Sequence, residues 1–81
     1  MHLNMFGYQL MNKKDIDLAI EVFKINTELF PDVPNVWDSL GEAYKNKGDN
    51  DMAIKNYRKV LELDPQNQHA KMMLDKLESQ K

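Results

Sequence analysis

Residues 34–65 read PNVWDSLGEAYKNKGDNDMAIKNYRKVLELDP, and this stretch decides the fold. Pro34 opens a helix at a position where a missing N–H costs little, because that N–H would have no helical partner anyway. Val36, Trp37, Leu40, Ala43 and Tyr44 then follow at helical spacing. Gly48 ends this helix, and Asp49 or Asp51 is available to cap the next by accepting from its free N–H groups. Ala53, Ile54, Tyr57, Val60 and Leu61 form one apolar stripe on the second helix, and Pro65 closes it.

The same plan occurs once before. An offset of 34 residues places Gly7 on Gly41, Asp15 on Asp49, Asp17 on Asp51 and Ala19-Ile20 on Ala53-Ile54. It also superposes Phe23 on Tyr57, Glu28-Leu29 on Glu62-Leu63 and Pro31 on Pro65. These matches fall on punctuation and core positions, so the chain is a repeat. The first unit carries Leu3, Phe6 and Leu10 on its first helix, then Ala19, Ile20, Phe23 and Leu29 on its second. Its turn has Lys13-Lys14 where the second unit has Lys47-Gly48, which calls for a different turn or a strained residue.

The second unit resembles the tetratricopeptide repeat, whose pattern is W-x2-L-G-x2-Y…A-x3-F…P over the same period. Trp37, Leu40, Gly41, Tyr44, Ala53 and Pro65 match it, and Tyr57 stands in for the phenylalanine. The first unit matches less closely, with Leu3, Phe6, Gly7, Leu10, Ala19, Phe23 and Pro31. The resemblance implies an all-α, right-handed superhelical stack of antiparallel helix pairs, five helices in all. The units run 1–33 and 34–67, with a capping helix and tail at 68–81.

Each matched residue has a physical task. Gly7 and Gly41 let a neighbouring helix approach, as do Ala19 and Ala53 from the opposite side. Trp37, Leu40 and Tyr44 fill the space between the pair, against Phe23 and Tyr57. Val60 stands where the family usually has alanine, and its counterpart in the first unit is Asn26. A boundary position is expected for Asn26, its amide in water or bonded to a carbonyl; the alternative is a buried contact that fixes register between units.

Residues 67–79 read as a solvating cap. Ala70, Met73, Leu74 and Leu77 make an apolar stripe, while Lys71, Asp75, Lys76 and Glu78 face away from it. Met1, Leu3, Met5 and Phe6 begin the first helix with no such cover. The expectation is a C-terminal piece of a longer protein, whose upstream residues cover that surface. Tails of this style resemble those appended to larger bacterial proteins, including serine hydrolases. The compartment stays open between cytoplasm and periplasm, depending on upstream sequence.

In the family, the first helix of each unit lines a concave groove that takes peptides or partner surfaces. The residues facing away from the apolar stripe are Asn4, Tyr8, Met11 and Asn12, then Asn35, Asp38, Glu42, Lys45 and Asn46. Family members that clamp an acidic C-terminal carboxylate use lysine and asparagine there. Asp38 and Glu42 would repel such a tail, so a neutral or basic, partly apolar segment is the expected partner, with Tyr8 and Met11 supplying contact area.

Composition removes other functions. A net charge of −2 speaks against a nucleic-acid binder, which needs a basic face for phosphates. No apolar run approaches the roughly 20 residues that span a bilayer. There is no cysteine, hence no disulfide or thiolate metal site. His2 and His69 lack ligand spacing, Ser39 and Ser79 lie in no nucleophile elbow, and no phosphate loop occurs. The expectation is a non-enzyme without cofactor or metal. Two roles remain: a groove that captures a partner, or a structural tail that self-associates or braces an upstream domain.

Overall fold

The computed structural model describes residues 3–79, with side chains described from residue 5 onward. Five helices follow in order: α1 (Leu3–Asn12), α2 (Ile16–Leu29), α3 (Pro34–Lys47), α4 (Asn50–Leu63) and α5 (Gln68–Glu78). Each packs on the next, and α1 also touches α3. The Cα atoms fill 28 × 26 × 16 Å, and the short dimension accommodates two layers of helices whose axes lie about 8–10 Å apart. One layer is α1, α3 and α5; the other is α2 and α4.

The repeat extends to the hydrogen bonds of the turns. Lys14 N–H donates to Met11 O and Asp15 N–H to Leu10 O; Gly48 N–H donates to Lys45 O and Asp49 N–H to Tyr44 O, at the same offset. Both turns need a left-handed residue. Gly48 takes φ 92° without penalty, whereas Lys14 takes φ 64° with a full side chain. The second possibility raised by Lys13-Lys14 is therefore realised: the turn keeps its shape and Lys14 carries strain of about 1 kcal/mol.

The helix starts are less uniform. Asp49 Oδ1 accepts from Met52 N–H at 3.2 Å and Asn67 Oδ1 from Ala70 N–H at 2.9 Å. Asp15 is the N-cap residue of α2 but makes no side-chain cap bond. Asp49→Ala should therefore cost about 1 kcal/mol in chemical denaturation, and Asp15→Ala clearly less. Equal losses would show that the cap bond of Asp49 is not what distinguishes them.

Phe23 and Tyr57 are fully buried, each opposite a glycine. A Cβ on Gly41 would lie 3.2 Å from the Tyr57 ring, and one on Gly7 only 2.6 Å from Phe23 Cζ. Ala19 and Ala53 are also fully buried, as the small-against-large reading requires. Ala70, Met73, Leu74 and Leu77 of α5 close the far end, and Arg58 reaches Glu78 at 3.1 Å.

Three expectations need correction. Leu29, counted among the apolar residues of the second helix, is 61% exposed. Phe6 is 50% exposed, as its uncovered place at the start of α1 implies, although its counterpart Leu40 is 4% exposed. In the second unit α2 covers that side; among the described residues nothing covers it in the first. Trp37 is only half-buried: its Nε1 donates to Pro31 O at 2.9 Å, and Lys59 Nζ sits 5.6 Å from its ring centre. With Leu40 and Tyr44 it floors a cleft of about 820 Å³ between α2 and α4. Asn26 is not at a boundary. It is 0% exposed, like Val60, and neither Nδ2 nor Oδ1 has a partner among the described residues.

Candidate partner-binding groove

α1 and α3 bring a cluster of polar side chains together on the layer they share with α5. Tyr8, on α1, places its hydroxyl 3.0 Å from Ser39 Oγ on α3. Its ring meets Phe23 edge to face, with centres 5.2 Å apart, so packing on α2 sets where the hydroxyl points. Asp38 lies one residue before Ser39 and Glu42 one turn further on, which puts the two carboxylates on one face of α3. His69, in the first turn of α5, brings Nδ1 to 3.0 Å from Asp38 Oδ2. The carboxylate can only accept, so the imidazole donates through Nδ1.

Two phenols register the resulting field. Burial pushes the Tyr8 hydroxyl up to about 12; the Ser39 bond opposes this, while Glu42 and Asp38 add to it. Tyr57, on α4, is raised further by burial and then by Asp38, Glu42 and Tyr8. Its Oη is buried without a hydrogen-bond partner among the described residues. Both phenols stay neutral at ordinary pH. The charge of this face is therefore that of Asp38 and Glu42, partly balanced by Lys45 on the next turn.

The nine sequence candidates fare unequally. Tyr8, Asp38, Glu42 and Lys45 are half-buried on this face, and Asn12, Asn35 and Asn46 are exposed. The side chain of Asn4 lies outside the described residues, as do His2 and the side chain of Leu3. Met11 is a correction: at 9% exposure it belongs to the core and supplies no contact area. Asn46 covers it, donating from Nδ2 to its sulfur at 3.5 Å. Helical spacing gave the direction of Met11 but not the neighbour that closes over it.

Three contributors escaped the sequence reading: Ser39, Tyr57 Oη and His69. The repeat offset carried the signal for one of them, since it sets His69 on Asn35, on the first turn of the layer's next helix. Among the described residues, no three His, Asp or Glu side chains gather closely enough to hold a metal ion. No described helix is long and apolar enough to cross a membrane.

Residues 34–67 match the family model of the tetratricopeptide repeat, and the fold around them repeats the same helix pair. That unit is a tetratricopeptide repeat. The chain is 30% identical over 74 residues, 91% of its length, to a chloroplastic tetratricopeptide repeat domain-containing protein of Arabidopsis thaliana, PYG7. It is 31% identical over 77 residues, 95% of its length, to Superkiller protein 3 of Schizosaccharomyces pombe. The chain spans 25% of the length of the plant relative and 6% of the yeast one. Tetratricopeptide repeats in general mediate protein–protein interaction, binding proteins or peptides, and their proteins are in general non-enzymatic scaffolds.

Proposed function

We propose that this chain is a protein-binding module whose concave groove, formed by α1, α3 and α5, takes a basic and partly apolar segment. In this reading the units are 1–33, 34–67 and 68–81: α1 and α3 of the first two supply the walls, and α5 of the third closes the end. The supporting observation is the pair of carboxylates, Asp38 and Glu42, on one face of α3 beside the Tyr8 hydroxyl that Ser39 holds at 3.0 Å; burial raises that phenol and the two charges add to the rise. A lysine or arginine of the partner meets this field and the hydroxyl of Tyr8, while an acidic tail is repelled. Met5 on α1 and Met72 on α5 are exposed and offer adaptable apolar surface on the helices of the same layer.

The test is a pair of synthetic peptides, one with lysines among leucines and one with glutamates in their place, titrated by calorimetry. The lysine peptide should bind the parent chain more tightly, and added salt should weaken it. The double variant Asp38→Lys, Glu42→Lys should reduce that affinity by tenfold or more and keep the helical circular dichroism of the parent. Unchanged affinity in a folded variant removes the groove assignment.

A further inference from the structure

The junction of the two units leaves a cleft on the side of the molecule away from Asp38 and Glu42. α2 and α4 form its walls and α3 its floor, and every residue that lines it lies between positions 24 and 62. The space is therefore set by α2, α3 and α4 alone. Trp37, Leu40 and Tyr44 are spaced 3 and 4 residues apart on α3, which puts them on one face as an apolar floor. Met52 of α4 extends it.

The walls are charged unevenly. Lys24 of α2 and Lys55, Arg58 and Lys59 of α4 line the cleft, against Asp51 and Glu62. Cations outnumber carboxylates two to one here, in a chain whose net charge is −2. Arg58 is engaged by Glu78 of α5 at 3.1 Å. Lys24 meets Glu21 at 3.7 Å and Lys59 meets Glu62 at 3.5 Å, pairs along one helix surface that hold little of either charge. Two neutral polar groups of the walls are tied to their own helices: Thr27 Oγ1 donates to Lys24 O at 2.7 Å, and Asn56 Nδ2 to Met52 O at 2.8 Å. The lysine ammonium groups are thus what the walls offer to a ligand. Lys59 Nζ also stands 5.6 Å from the centre of the Trp37 ring, so an anion that reaches it lies beside an aromatic surface.

Volume selects the occupant. The cleft holds about 820 Å³, within the roughly 300–1,000 Å³ of small-molecule sites. Three turns of α-helix, about 10 Å across and about 16 Å long, exceed it.

We infer that this cleft binds a small aromatic carboxylate, whose flat body lies on Trp37, Leu40 and Met52 while Lys24 and Lys59 meet its charge from opposite walls. The site is independent of the proposed groove, which belongs to the other layer of helices and carries the opposite charge. The probe is naphthalene-2-carboxylate. It is compared with naphthalene-2-carboxamide, which keeps the rings without the charge, and with acetate, which keeps the charge without the rings. Calorimetry on the parent chain should show saturable binding of the naphthoate, about fivefold or more tighter than the amide, and no binding of acetate. The indole N–H resonance of Trp37 should shift as the naphthoate saturates. Lys24→Gln with Lys59→Gln should lower naphthoate affinity to that of the amide and leave the amide unchanged. Asp38→Lys with Glu42→Lys should leave naphthoate binding in place, which separates this site from the groove. Circular dichroism verifies that each variant is folded.

Undetectable naphthoate binding overturns the inference, as does equal affinity for naphthoate and amide. An indole resonance that does not move, or unchanged naphthoate affinity in the lysine variant, has the same consequence. So has a peptide of glutamates among leucines that displaces the naphthoate and binds more tightly, since the occupant would then be a protein segment.

Discussion

Asn26→Val is expected to melt roughly 10 °C above the parent chain, a gain from removing a hydrogen-bonding group. Asn26 is 0% exposed with Nδ2 and Oδ1 both unpartnered among the described residues. A buried amide without partners loses its water bonds and receives nothing in return, at about 1–3 kcal/mol per orphaned group. Val60 shows that the repeat accepts valine here, since it occupies the equivalent site at 0% exposure. Asparagine and valine have nearly equal helix propensity, so the backbone is indifferent. After allowance for the slightly larger valine, a net gain of about 2 kcal/mol remains. Each kcal/mol moves the midpoint of a domain this size by about 4–8 °C. Thermal circular dichroism reads the shift, and the reciprocal Val60→Asn should fall by a similar amount. A melting point at or below that of the parent would mean that Asn26 has partners in solution.

Gly7→Ala should have the opposite effect and cost about 2 kcal/mol. Glycine to alanine inside a helix is ordinarily worth about 1 kcal/mol in favour of alanine. At Gly7 the new methyl would sit 2.6 Å from Phe23 Cζ, with Cε1 closer still. Phe23 is fully buried, and the edge of Tyr8 holds its ring, so it has nowhere to turn. Overpacking of this kind costs about 1–3 kcal/mol or more, which exceeds the gain in propensity. Gly41 is the control. Its nearest ring contact would be 3.2 Å, a matter of tenths of an ångström, so Gly41→Ala should stay within about 1 kcal/mol of the parent. Urea denaturation of both variants measures the contrast. If Gly7→Ala unfolds at the same urea concentration as the parent, the ring of Phe23 is not confined. Phe23→Leu placed on top of Gly7→Ala should recover part of the loss.

The period, the helix pairs, the closing helix and the opposed glycines were legible because each depends on residues within one unit. The strain at Lys14 was legible for the same reason, since the second unit displayed the glycine that the turn prefers. Exposure was less so. Leu29 carries the same apolar character as Leu40, and only a neighbouring helix separates a core residue from a surface one. Met11 failed in the reverse direction, because Asn46 from the next unit closes over it. Asp38 and Glu42 could be placed on one face by counting along α3. Ser39, Tyr57 Oη and His69 could not, because they reach the cluster from three different helices through tertiary packing. Asn26 was misjudged by a sound general rule: most buried amides find partners, and this one has none among the described residues.

The chain's one tryptophan gives the position of Trp37 a practical consequence. Its indole touches the loop that ends the first unit through Pro31 and rests under Lys59 of the second, so its emission follows the docking of one helix pair on the other. Backbone signals instead follow the helices within each pair. Repeat chains gain stability partly from each unit and partly from the junction between units. The indole sits on that junction, so one spectroscopic signal separates loss of cooperativity between neighbours from unravelling of either hairpin.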